Sequence, residues 1–141
     1  MRSERVFLED DAATATLGAR LAGELKPGDL LLLSGDLGAG KTALARAIIR
    51  TLTGIPNLDV PSPSFALVQP YEARGTPILH ADLYRIRDPG EIEELGLFER
   101  ADAIVLIEWA ERVPGLRNSA SIAVALSVPA DGQGRIAEIT R

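Results

Sequence analysis

Two continuous apolar runs define the centre of the predicted structure. Leu30–Leu33 is apolar at every position, and Ala103–Ile107 has the same character and leads directly into Glu108. Strands in the middle of a parallel sheet are covered on both faces, so they lack the alternation of half-exposed strands. Both runs therefore predict central strands of a parallel or mixed sheet.

Two other segments have a helical pattern. Asp10 and Asp11 can cap a helix over residues 12–25, whose leucines recur every four residues on one face. Residues 43–52 predict a second helix, and Gly54 lies where a C-cap glycine is expected. Each helix would place one apolar face on the sheet.

The rest of the chain predicts shorter elements. A hairpin is expected around the turn Ala73–Thr76, and Asp88 followed by Pro89 should begin a short helix. We interpret residues 1–141 as a single α/β domain with a mixed sheet and helices on both faces. The predicted strands besides the two central ones are 5–8, 65–72, 77–83, 122–128 and 135–139.

Composition and charge narrow the class of protein. The absence of cysteine excludes a disulfide framework and thiolate metal sites. A net charge of −5 argues against a protein that grips nucleic-acid phosphates by itself. The N-terminus shows no signal-peptide pattern and no apolar run is long enough to span a bilayer, so we expect a cytoplasmic protein.

The loop Gly35-Asp36-Leu37-Gly38-Ala39-Gly40-Lys41-Thr42 lies between the first central strand and the second helix. Its glycines let successive N–H groups turn toward a phosphate, Lys41 supplies a charge for the β- and γ-phosphates, and the Thr42 hydroxyl can ligate Mg²⁺. Lys26 is the only other lysine, so roughly one shuffled chain in a thousand would match this pattern. The loop predicts nucleoside triphosphate binding, with ATP hydrolysis as the favoured chemistry.

A phosphate loop of this kind needs an acid near its Mg²⁺. Glu108 follows the cleaner apolar strand, and we assign it to the metal, directly or through water. Asp82 follows a strand whose apolar pattern is interrupted by His80. We expect Asp82 to position water or to hold the groups around the metal, without ligating the metal itself. A lone histidine on a strand is more often structural, although a role near the γ-phosphate stays open. Lys41, Asp82 and Glu108 are the predicted catalytic residues.

Several neighbouring residues allow two interpretations. Ser62–Phe65 is either a switch loop that senses the γ-phosphate or a plain connector, and Trp109 is core, a stacking surface or a docking point. Arg85 could supply a cation to the transition state, although a surface arginine is the commoner outcome. The sequence alone does not choose between these alternatives.

Other classes of phosphate-loop protein fit less well. Neither Asn57 nor Asn118 is followed by lysine, so the usual guanine-reading motif of a GTPase is missing. Motor and helicase-type ATPases need a longer chain. A small-molecule kinase is the main alternative, and residues 85–100 are the obvious place for its lid.

The motifs together resemble one known family, the bacterial TsaE (YjeE) family. Besides the Gly-rich loop, the resemblance rests on Ser62–Phe65, His80–Arg85, Glu94–Leu97 and Ile107–Trp109, which occur in this order. It extends over nearly the whole chain. TsaE proteins are the ATPase component of tRNA threonylcarbamoyladenosine biosynthesis.

The resemblance implies a P-loop NTPase-like fold and an ATPase of weak activity. It would act with a TsaD–TsaB pair, which transfers the threonylcarbamoyl group to adenosine 37 of tRNA. The acidic composition is consistent with contact with tRNA only through these partners. Thr42 and Glu108 match the family's Mg²⁺ positions, and Asp82 and Trp109 match positions of functional importance. The residues expected at ATP or ADP are Thr14, Gly35, Asp36, Leu37, Gly38, Ala39, Gly40, Lys41, Thr42, Ala43, Trp109 and Arg135.

Two positions depart from the family pattern. Ser64 stands where the family usually has threonine, so the hydroxyl is kept and a methyl group is lost. Ala43 stands where many members have a second threonine. A mechanism that needs a hydroxyl at position 43 is therefore not expected, whereas Mg²⁺ binding through Thr42 is unaffected.

Overall fold

Seven strands form one mixed sheet in the computed structural model, which describes residues 2–141. The strands are β1 Ser3–Leu8, β2 Leu30–Ser34, β3 Val68–Ala73, β4 Thr76–Asp82, β5 Ile104–Glu108, β6 Ile122–Ser127 and β7 Arg135–Thr140. Their spatial order is β1-β7-β6-β2-β5-β4-β3. The pairs β2–β5, β2–β6 and β4–β5 are parallel, and β1–β7, β6–β7 and β3–β4 are antiparallel.

Two α-helices cover one face of this sheet. Helix α1 spans Asp11–Glu24, and the carboxylate of Asp10 caps it by accepting the Ala13 N–H at 2.9 Å. Helix α2 spans Lys41–Thr53 and ends at Gly54, whose φ of 72° is the left-handed conformation of a C-cap glycine. The apolar faces of both helices join the alternate residues of the strands in the larger core.

The opposite face is covered by 3-10 helices. These are Pro89–Leu95, Ala110–Arg112 and Pro114–Ser119, and they enclose a second core with the other side of β2, β4 and β5. The prediction of helices on both faces is confirmed, but only one face carries α-helices. Pro89 and Pro114 begin two of the 3-10 segments, and short proline-initiated turns do not extend into α-helices here.

Most predicted boundaries agree within two residues, with one clear error. The strand expected from Phe65 begins only at Val68. Leu67 has a φ of 66° and its N–H donates to the carbonyl of Pro63 at 2.7 Å, so residues 63–67 form a turn before the strand. Within the described residues, no helix combines the length and the apolar character that crossing a membrane requires.

Candidate functional site

The carboxyl ends of three parallel strands meet at one edge of the sheet. In the register of β4 and β5, Asp82 lies opposite Glu108, and in that of β2 and β5, Leu33 lies opposite Glu108. The Gly-rich loop (residues 35–42) leaves this same edge after Ser34 and enters α2. Ligands in open α/β sheets bind at such an edge.

The glycines of the Gly-rich loop serve different purposes. Gly35, Gly38 and Gly40 all have positive φ, of 137°, 81° and 103°. A Cβ on Gly35 would lie 2.3 Å from the carbonyl oxygen of Leu126, so this glycine allows close packing against β6. A Cβ on Gly38 or Gly40 would meet nothing within 4 Å, so these two glycines are required by the backbone turn and face open space.

The beginning of α2 presents unpaired backbone donors to this space. Leu44 is the first residue of the helix whose N–H finds an intrahelical acceptor, the carbonyl of Gly40. In the described part of the chain, the N–H groups of Gly40, Lys41, Thr42 and Ala43 have no backbone acceptor, and no side chain caps the helix. Free amides and the positive end of a helix dipole together form a binding site for an anion such as a phosphate.

The Lys41 ammonium group is held at the base of the loop. Only 5% of the residue is exposed, and Nζ donates to the carbonyl oxygens of Gly35 and Asp36. Nζ also lies 4.0 Å from the centroid of the Trp109 ring, a cation–π contact. Trp109 has a φ of 58°, an unusual conformation for a large side chain that turns the chain sharply after β5.

Glu108 lies at the centre of a buried polar cluster and is only 2% exposed. Its two carboxylate oxygens accept the Thr42 hydroxyl, at 2.8 and 3.0 Å. Oε2 also lies 2.6 Å from Nε2 of His80, which is fully buried. A carboxylate only accepts hydrogen bonds, so His80 donates through Nε2, and its Nδ1 has no partner within residues 2–141. His80 therefore supports Glu108 from within the sheet.

Asp82 is the second buried carboxylate at this edge. Its Oδ1 accepts the Tyr84 N–H at 2.8 Å, and its Oδ2 lies 3.4 Å from the Ser62 hydroxyl. Burial raises the pKa of Asp82, the Tyr84 N–H opposes that rise, and the nearby charge of Glu108 adds to it. Asp82 thus contacts Ser62 of the expected switch loop and lies next to Glu108 across the β4–β5 pair.

These residues surround a groove of about 470 Å³, a volume that suits a small ligand. We call it the loop groove. Both hydroxyls of the expected switch loop, Ser62 and Ser64, face it. Its lining consists of Leu37, Gly38, Gly40, Lys41, Thr42, Ala43, Ser62, Ser64, Asp82, Tyr84, Arg85, Glu108 and Trp109.

The other predicted nucleotide contacts lie beside or behind the loop groove. Thr14 lines a neighbouring groove that shares Ala43 with it. Arg135 donates from Nε to the carbonyl oxygen of Gly38 at 3.2 Å, so it contacts the outer side of the Gly-rich loop. Ala39 is fully buried, and only its backbone can face a ligand.

The donor set suits one kind of metal. No group of three or more His, Cys, Asp or Glu side chains in the described residues could hold an ion alone. Mg²⁺ does not need such a cage, because it is usually bound by one or two carboxylates together with phosphate oxygens and water. Glu108 and the Thr42 hydroxyl, next to free amides that would bind phosphate, fit that requirement.

Glu111 and Arg112 were missed by sequence reasoning, and Tyr84 was recognised only as part of the His80–Arg85 motif. Tyr84 packs against Trp109 with ring centroids 4.8 Å apart, and the Arg112 guanidinium lies over both rings. Glu111 accepts the Gly35 N–H at 3.0 Å. Glu111 and Arg112 belong to the short helix after Trp109, and no spacing signal marks them.

Two further features bear on alternative sites. A second groove of about 450 Å³ lies on the face with the 3-10 helices, between β6 and Pro114, and its lining contains no lysine. In the segment expected as a kinase lid, Ile86 and Leu97 are buried in the second core, and Asp88 and Glu91 form a capping box. Of this segment only Arg85 lines the loop groove, and its guanidinium lies over the exposed ring of Phe65.

Comparison with known proteins gives a consistent family assignment. A family model described as "Threonylcarbamoyl adenosine biosynthesis protein TsaE" matches residues 8–136. The tRNA threonylcarbamoyladenosine biosynthesis protein TsaE of Rickettsia felis is 43% identical over 124 residues, which cover 87% of this chain and 72% of that protein. The protein of the same name from Rickettsia bellii is 38% identical over 141 residues, covering 99% and 96%.

One solved structure shares the fold. The crystal structure of Bacillus subtilus YdiB aligns with a TM-score of 0.73 over 99% of this chain and 86% of that one. At 24% sequence identity this similarity concerns the fold alone. It agrees with the α/β architecture predicted from the sequence.

Proposed function

The chain belongs to the TsaE family of threonylcarbamoyl adenosine biosynthesis proteins, and on that premise we propose that it binds and hydrolyses ATP with Mg²⁺ in the loop groove. One observation carries the proposal. The free amides at the start of α2, the Lys41 ammonium group and the Thr42–Glu108 pair all converge on the carboxyl edge of the sheet. This combination of donors, cation and carboxylate matches the needs of a Mg²⁺-bound triphosphate.

Each part of the groove has a role in this proposal. The loop amides and Lys41 bind and orient the phosphates, and Thr42 and Glu108 hold Mg²⁺, directly or through water. Bound Mg²⁺ supplies positive charge that offsets the charge of the phosphates. Asp82 positions water or the groups around Glu108, and His80 keeps the Glu108 carboxylate in place from the buried side.

The biological setting is also part of the proposal. The chain serves threonylcarbamoyladenosine modification of tRNA together with a TsaD–TsaB-type complex, and it meets tRNA only through those partners. The net charge of −5 supports indirect contact with RNA. Two exposed apolar residues support a protein partner near the groove. Leu37, in the lining, is 83% exposed, and Phe65, beside the lining, is 82% exposed.

One assay tests the proposal. ATP hydrolysis is measured with the chain alone and after addition of a purified TsaD–TsaB complex from a matching organism, with Mg²⁺ varied in both cases. We expect slow hydrolysis alone, a marked rise with the partners, and a Mg²⁺ concentration for half-maximal hydrolysis that rises in Glu108→Gln. No rise with the partners would contradict the proposed setting. Hydrolysis that needs a small-molecule acceptor, seen as a phosphorylated product by mass spectrometry, would favour a kinase instead.

A further inference from the structure

Glu111 holds the first amide of the Gly-rich loop. Its carboxylate oxygen Oε2 accepts the N–H of Gly35 at 3.0 Å, although the two residues are 76 positions apart in the sequence. Gly35 directly follows the last residue of β2, so this amide is where the backbone leaves the sheet and begins to turn. A charged acceptor makes this bond stronger than an ordinary backbone hydrogen bond.

Gly35 is also constrained at its carbonyl group and at its Cα. Its carbonyl oxygen accepts from Nζ of Lys41, and a Cβ at this position would collide with the backbone of Leu126. The amide bond to Glu111 therefore completes a set of contacts that fixes the backbone on both sides of one glycine. Removing this hydrogen bond would release the Gly35 N–H, at the point where the loop begins.

Glu111 also belongs to a larger arrangement. Residues 108–111 contact the Gly-rich loop at three places: Glu108 at the Thr42 hydroxyl, Trp109 at the Lys41 ammonium group and Glu111 at the Gly35 amide. The left-handed conformation of Trp109 reverses the chain, and this brings the 3-10 helix containing Glu111 back to the start of the loop. The turn after β5 thus contacts the Gly-rich loop at both of its ends.

We propose that Glu111 is a positioning residue that pre-orders the Gly-rich loop before nucleotide binds. Its consequence for nucleotide affinity rests on the function proposed above, whereas its hydrogen bond to Gly35 does not. A loop that is already ordered loses less conformational entropy when it binds phosphate. Glu111 contacts none of the free N–H groups in the loop groove. Its loss should therefore weaken the binding of ATP and ADP alike, and it should affect binding more than turnover.

The direct test measures hydrogen exchange of the Gly35 amide by NMR in the full chain without nucleotide. In Glu111→Ala we expect exchange about tenfold faster than in the wild type, the factor for losing one hydrogen bond to a charged acceptor. Glu111→Gln keeps a side-chain oxygen and should recover much of the protection. Glu93→Ala, which changes an exposed glutamate of another 3-10 helix, should leave Gly35 exchange unchanged.

Equal Gly35 exchange in the wild type and Glu111→Ala, with both melting as folded proteins, would overturn the proposal. A second measurement, the affinity for ADP by calorimetry, should fall about three- to tenfold in Glu111→Ala and much less in Glu111→Gln. A wild-type chain that binds neither ADP nor ATP would overturn the proposed function instead. The exchange result would still decide whether Glu111 holds the loop.

Discussion

Nε2 of His80 lies 2.6 Å from Oε2 of Glu108, and both side chains are almost completely buried. The carboxylate that we assign to Mg²⁺ therefore depends on a donor that never reaches the groove. In His80→Ala, Glu108 loses that donor and gains a cavity beside it. We expect the free energy of unfolding to fall by about 2–4 kcal/mol and the Mg²⁺ concentration for half-maximal hydrolysis to rise.

A double-mutant cycle checks this coupling. If His80 acts through Glu108, the combined effect of His80→Ala and Glu108→Gln on stability and on Mg²⁺ dependence should be smaller than the sum of the single effects. His80→Gln keeps an N–H donor and should be milder than His80→Ala. Strictly additive effects would mean that the two residues act independently.

Lys41→Ala should remove most nucleotide affinity. The substitution deletes the only ammonium group among the loop groove's lining residues, and a charge-assisted contact with phosphate corresponds to about a hundredfold in the dissociation constant. Lys26→Ala is a matched control, because Lys26 is the only other lysine and lies in an exposed turn. Calorimetry with ADP and ATP measures both variants. Equal losses of affinity in the two variants would show that the overall charge of the protein, and not the position of Lys41, is responsible.

The Gly-rich loop and the strand that ends at Glu108 could be predicted because their signals are local. The loop motif is continuous in the sequence, and the unbroken apolar run Ile104–Ile107 before Glu108 is typical of a strand covered on both faces. The structure places Lys41, Thr42, Asp82 and Glu108 around one groove as expected. Their roles toward ATP and Mg²⁺ stay predictions.

The contacts that support this groove could not be predicted, because they depend on register and on one backbone angle. His80 reaches Glu108 only through the pairing of β4 with β5, and Glu111 reaches Gly35 only because Trp109 adopts a left-handed conformation. Phe65–Leu67 has the composition of a strand, but the positive φ of Leu67 does not fit one. Nothing in the sequence indicates this backbone angle. Long-range pairing and unusual backbone angles are thus the missing information.

Glu24 should make stability depend on pH in the acidic range. The Arg141 guanidinium donates two hydrogen bonds to its carboxylate, at 2.7 and 2.8 Å, and lowers the pKa of Glu24 below its usual 4.5. A lowered pKa in the folded state stabilises the protein above the unfolded-state pKa, and this stabilisation is lost as the pH falls through the folded-state value. Because the carboxylate is partly exposed, we expect a contribution of only about 0.5–1 kcal/mol.

Urea unfolding at pH 7 and pH 3 measures this contribution. Glu24→Gln should lower stability at pH 7, and its effect should shrink toward pH 3, because the wild-type carboxylate takes up its proton as the pH falls through the folded-state pKa. Glu138→Gln is the control, because its ion pair with Arg5 is long, at 3.8 Å, and exposed. A Glu24→Gln effect that is equal at both pH values would show that packing, and not charge, is responsible.

Two glycines of α1 should respond in opposite ways to alanine. A Cβ on Gly18 would lie 2.4 Å from the Cβ of Ala47 in α2, whereas a Cβ on Gly23 would meet nothing within 4 Å. Alanine favours a helix over glycine by about 0.5–1 kcal/mol, so Gly23→Ala should stabilise the protein by up to that amount. Gly18→Ala should destabilise it by about 1–3 kcal/mol, because the two helices must move apart.

The same pair tests whether helix packing reaches the groove. Helix α2 begins at Lys41 and Thr42, so a shift that Gly18→Ala imposes at Ala47 moves the helix whose first turn carries the free amides. We expect weaker ADP binding in Gly18→Ala and unchanged binding in Gly23→Ala, measured by calorimetry well below the melting temperature of either variant. If Gly18→Ala loses stability but binds ADP as the wild type does, the packing of α1 on α2 supports the fold without setting the position of the loop.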